Sequence, residues 1–137
     1  MSEQAARAIV YARSQGRCEV CGNYSAQSVH HRMKEGRPWE PANLLHICGD
    51  GTRGCHGWIE NHPTHAQALG LWLRRGVDFT VWPAWLHPTM WWRGWWLLDN
   101  DGCWSWEHGR SLSTAVPADV AAAIDAICAA RRIELAA

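Results

Sequence analysis

The sequence predicts a mixed α+β fold that is small and stapled by metal rather than by disulfides. Three observations lead there: four cysteines in two close pairs, short apolar runs broken by turn residues, and a tryptophan-rich middle. At 137 residues the chain is one domain with a small core and an extension. Composition divides it into a Cys/His-rich part, residues 1–66, and a Trp-rich part with an Ala-rich tail, residues 67–137.

Ser2 can cap a helix through "EQAARAIVYARSQ", where Ala6, Ile9, Val10 and Arg13 follow a helical repeat that Gly16 stops. "CEVCG" is a tight knuckle. "SVHHRM" reads as a strand, "KEGRPWEPAN" as a loop marked by Gly36, Pro38 and Pro41, and "LLHIC" as a second strand or a helical turn. "GDGTRG" is a flexible loop, and "CHGWIEN" a short helix bounded by Pro63. "THAQA" can start another helical turn. "GLWLR" and "FTVW" read as strands. "WWRGWWLL" and "CWSW" read as a hairpin turning at Asn100–Gly102. From Pro117, "PADVAAAIDAICAARR" predicts a helix with the stripe Val120, Ile124 and Ile127.

Thirteen basic residues balance thirteen acidic ones, so nothing in the net charge announces a polyanion partner. Nucleic-acid binding then rests on a local basic face and is salt-sensitive. The N-terminus lacks a signal pattern, and no apolar run reaches the roughly 18 residues a membrane span needs. A cytosolic location is expected, where structural disulfides are rare.

Cys18-x2-Cys21 and the wider Cys48-x6-Cys55, enlarged by Gly49, Gly51 and Gly54, can close four thiolates around a structural zinc ion. The wide second turn leaves His46 or His56 open as substitute ligands. Cys103 and Cys128 read as small apolar residues.

His30 and His31 are neighbours on a strand, so their rings point to opposite faces. That suits a site in which one imidazole meets an ion while the other takes a proton from water. The order of His30-His31, Asn43 and Cys55-His56, within "ARSQGRCEVCG", "VHHR" and "NLLHICGDGTRGCHGW", resembles the HNH endonucleases of the ββα-metal (His-Me finger) class. It is similar above all to the small HNH proteins of phages and their bacterial hosts, over residues 13–62. The resemblance implies a ββα-metal core, to which the residues add the structural zinc, a Trp-rich β extension and a C-terminal helix. It implies that His30 and His56 bind a catalytic divalent ion such as Mg²⁺, Mn²⁺ or Ni²⁺, that His31 is the general base, and that Asn43 orients the base ring. Glu60 stands one helical turn after His56, where some members carry a further His or Asn; a carboxylate there can bind a hard ion or orient His56.

Arg32, Lys34, Arg37 and Arg53 form the best local basic set and can position phosphates. Nine of the eleven tryptophans lie between Trp72 and Trp106, in a stretch with few other large apolar residues, so they read mainly as core. The expected function is metal-dependent hydrolysis of DNA phosphodiester bonds, nicking as a monomer because the chain has one site. The alternative is a zinc-stabilised DNA-binding or adaptor module without catalysis. Partners expected are DNA and a protein such as a packaging enzyme or a second copy.

Overall fold

The structure, a computed structural model, describes residues 1–88 and 91–106. The helix expected from Pro117, together with Cys128, lies outside them. The fold is mixed α+β with two small sheets. Helix α1 (Glu3–Ser14) is capped by Ser2, whose hydroxyl accepts the Ala5 amide at 3.1 Å, and it buries Ala6, Val10, Arg13 and Ser14. Strands β1 (Ser28–His31) and β2 (Leu44–Ile47) pair antiparallel, with His30 opposite Leu45 and His31 opposite Leu44. A 3₁₀ turn, Pro41–Asn43, leads into β2. Helices α2 (Gly54–Asn61) and α3 (Pro63–Ala68) follow. Strands β3 (Ala84–Leu86), β4 (Gly94–Leu98) and β5 (Trp104–Trp106) form an antiparallel meander.

Strand alternation gives the β1–β2 hairpin two different faces. Leu44 packs with Ala6 and Val10 of α1, with Val29 and Trp39 at the edge of that cluster. Leu45 and Ile47 face a larger core that joins the cysteines and Ile59 to Leu71, Leu86 and Trp95. That core draws on residues from both sides of position 66. No described helix is long and apolar enough to cross a membrane.

"GLWLR" and "FTVW" do not form strands. Residues 70–83 run as turns and bends, touching β structure only at a bridge between Leu73 and Met33. The reason is Arg32. It is fully buried, and its guanidinium donates to the carbonyls of Gly70 (2.9 Å), Ala42 (3.0 Å), Phe79 (3.2 Å) and Trp82 (2.6 Å). Those bonds turn carbonyls from both runs toward one buried guanidinium, which folds the segment back on itself instead of extending it. Gly70 is required at its bend: its φ is +69°, and a Cβ there would lie 2.0 Å from the Pro83 carbonyl oxygen.

The tryptophans divide. Trp58, Trp95 and Trp96 are buried, while Trp82, Trp91, Trp92 and Trp106 are exposed. Trp72, Trp85 and Trp104 are partly buried against the main core, so the reading of the 72–106 tryptophans as core holds for these three with Trp95 and Trp96, and fails for the four exposed ones.

Candidate metal centres

Two groups of donor side chains converge among the described residues. The first is Cys18, Cys21, Cys48 and Cys55, all buried. The Cys21 and Cys48 sulfurs lie 3.9 Å apart. Four sulfurs at the usual Zn–S bond length sit about 3.8 Å from one another, so the spacing fits a tetrahedral ion such as zinc. Backbone amides already point at the sulfurs: Cys21 donates to Cys18 Sγ at 3.5 Å, Asn23 to Cys21 Sγ at 3.5 Å and Cys55 to Cys48 Sγ at 3.4 Å. Hydrogen bonds from the neighbouring thiols hold Cys21 and Cys48 below the usual thiol range, whereas burial pushes Cys18 up. A cation resolves that division by favouring the thiolate at all four. His46 and His56 are not in this group. His46 packs at a tilt against the Tyr11 ring, centroids 4.6 Å apart, and meets the Ser14 hydroxyl at 2.7 Å.

The second group is His30, His56 and Glu60, whose donor atoms all lie within 4.8 Å of one another. Glu60 Oε1 is 3.8 Å from His30 Nδ1 and 3.5 Å from His56 Nε2, while Oε2 meets Lys34. His56 and Glu60 are four apart on α2 and so share a face. The tautomers follow from the partners. His30 Nε2 lies 2.7 Å from the Leu71 carbonyl, which can only accept, so Nε2 carries the proton. The Ser28 hydroxyl donates its one proton to the Gly49 carbonyl at 2.8 Å and lies 2.7 Å from His56 Nδ1, which must therefore donate to it. Both rings are left with a lone pair aimed toward Glu60. His30 Nδ1 is buried and has no hydrogen-bond partner, an arrangement costly in a protein and natural for a metal ligand. Burial pushes the His30 pKa down to about 4, so the ring is neutral near pH 7. Burial raises the Glu60 carboxyl, but the Lys34 bond and charge outweigh it and hold the group below its usual range. This donor set fits a divalent ion that accepts nitrogen and oxygen ligands.

Neighbouring residues feed both groups. Cys55 and His56 are consecutive on α2, and the turn after Cys48 supplies the Gly49 carbonyl that fixes Ser28. Ser28 was not among the expected site residues. Its signal was its position, two before His30 on one strand and so on the same face. The Leu71 carbonyl had no signal, because its place depends on Arg32 folding the 70–82 segment.

His31 points away from His30's partners. Its ring meets Trp39 edge-on at 4.5 Å, and its Nε2 has no partner. Burial, then the charges of Arg37 and Arg7, lower its pKa, so it is a neutral base at pH 7. His30, His31, His56, Glu60, Lys34 and Arg37 line one cleft of about 340 Å³.

Two expected roles change. Arg32 cannot touch phosphate, since it is buried with its donors spent on carbonyls. Asn43 does not bond the His31 ring. Its side chain accepts the Met33 amide at 2.8 Å and donates to the Met33 and Pro38 carbonyls, at 3.1 and 3.2 Å. It thus straps both ends of the loop that carries Lys34 and Arg37 and leads into Trp39. Arg53 is exposed before α2 and does not line the cleft.

No family model, curated protein or solved structure matches the chain.

Proposed function

We propose that the chain is a metal-dependent endonuclease of the HNH type that hydrolyses DNA phosphodiester bonds. One observation carries the reading: the orphaned His30 Nδ1 converges with His56 Nε2 and Glu60 Oε1 in a cleft shared with a neutral, unpartnered His31.

His30, His56 and Glu60 would hold a divalent ion, which when bound stabilises charge developing on the phosphate and the leaving oxygen. The remaining work falls to the chain's own groups. His31, outside the ligand set, accepts the proton of the attacking water. Lys34 and Arg37 offer cationic groups to phosphate oxygens at the cleft wall. Asn43 is a positioning residue, since it fixes the loop bearing those cations and the Trp39 ring that packs on His31. The four-cysteine group, loaded with a structural zinc, holds the Gly49 turn and the start of α2 in register with β1.

The test is supercoiled plasmid incubated with Mg²⁺, Mn²⁺ or Ni²⁺. Nicked circles should form first, because the chain holds one such cleft among its described residues. His31→Ala should lower the rate about 10²- to 10⁴-fold, the range for loss of a general base. Full activity in His31→Ala, or no cleavage with any of these ions in folded protein, would replace this reading with a non-catalytic DNA-binding module.

A further inference from the structure

Two further clefts continue from the candidate site through shared lining residues. Lys34 lines the His30–Glu60 cleft and also a second cleft of about 490 Å³ with Trp72 and Arg74. Trp72 and Arg74 then line a third, of about 410 Å³, closed by Val77 and Trp82, with Thr64 and Gln67 at its polar edge. Lys34 links the first two spaces physically, since its ammonium pairs with Glu60 and lies 4.3 Å from the centre of the Trp72 ring. The third cleft therefore has two indoles, an aliphatic wall, a hydroxyl and an amide. Arg74 at its mouth is exposed and makes no ion pair among the described residues.

We infer that this third cleft binds an unpaired base of a DNA strand whose neighbouring phosphates run past Lys34 into the His30–Glu60 cleft. The inference rests on the proposed nuclease function and names its substrate class. The chemistry is that of single-strand recognition: an aromatic, apolar slot for the base and a cation for the adjoining phosphate. The volume lies within the range of small-ligand pockets. Thr64 and Gln67 can hydrogen-bond a base edge that pairing no longer occupies. A paired base keeps its faces stacked and its edge occupied, so intact duplex cannot fill the slot. The favoured substrate is then a single strand, or a duplex opened at a loop, flap or mismatch.

The experiment uses zinc-loaded full-length protein without other divalent ions. It measures fluorescence anisotropy of labelled oligothymidylate and of a blunt duplex of equal length. Wild type should bind the single strand at least about tenfold more tightly, in line with one stacked base. Trp72→Leu, which keeps an apolar side chain against the core, should remove most of that preference. Arg74→Ala leaves the core untouched and decides the matter if Trp72→Leu does not fold: it should lower single-strand affinity and reduce the salt slope by about one. Equal binding of duplex and single strand, or full single-strand affinity in folded Trp72→Leu or in Arg74→Ala, overturns the inference. The two readings fail separately. Nicking activity without single-strand preference removes the base slot alone. Single-strand binding by a protein that never nicks removes the nuclease reading alone.

Discussion

The two donor clusters sit side by side and are built from neighbouring residues, yet they differ in every property that matters for chemistry. The four-cysteine group is buried at all four positions and uses only sulfur. The His30–His56–Glu60 group uses nitrogen and oxygen, leaves His56 and Glu60 half-buried, and opens into a cleft with a free base and two cations. A closed sulfur site can contribute only to folding, whereas an open site with a spare base can contribute to reaction. The difference arises over one peptide bond: Cys55 turns toward the core, and His56, about 100° further round the helix, turns toward the cleft.

The largest expected effect is at the closed cluster. Cys18→Ser should leave the chain unfolded or molten, seen as lost near-ultraviolet circular dichroism, because metal binding there is folding free energy. A natively folded, zinc-free Cys18→Ser would erase the distinction between the clusters. At the open cluster, His56→Ala should remove divalent-ion binding while leaving the urea midpoint nearly unchanged, with calorimetry and denaturation run on the same preparation. Unfolding of His56→Ala would make the open cluster structural as well. Next in size is Ser28→Ala, which should weaken Mn²⁺ affinity about 10- to 100-fold through loss of the tautomer lock on His56. An unchanged affinity would mean that Ser28 only packs. The smallest effect is expected for Glu60→Gln. It keeps one ligating oxygen but loses its charge and the Lys34 ion pair. Mn²⁺ binding should weaken by about tenfold or less, within what a single ligand's support contributes.

The closed cluster was legible because paired cysteines at knuckle spacing have few other uses in a chain of this kind. The open cluster was partly legible: alternation separated His30 from His31, and helical spacing joined His56 to Glu60. What sequence could not supply were contacts made across long separations. Arg32 looked like a surface cation beside two histidines, but its position at the end of β1 carries it into the interior, where four carbonyls from distant segments satisfy it. The same contacts accompany the missing strands over residues 70–83, where the apolar alternation reflects anchoring of Leu71, Leu73 and Phe79, with one bridge from Leu73 to Met33 in place of a ladder. Asn43 was expected to orient the His31 ring, but its partners are the loop ends at Met33 and Pro38, which no spacing rule predicts. The tryptophans were divided by which of them reach the main core, a tertiary property.

The claim that two kinds of metal centre share one helix is tested most directly by counting metal. Protein purified with zinc is dialysed against metal-free buffer, then exposed to Mn²⁺, freed of excess by gel filtration, and analysed for both elements. The account predicts about one zinc retained per chain, as expected of a closed tetrathiolate, and about one Mn²⁺ regained, the latter absent in His56→Ala. Complete loss of zinc with the fold intact, or equal Mn²⁺ in wild type and His56→Ala, would contradict it.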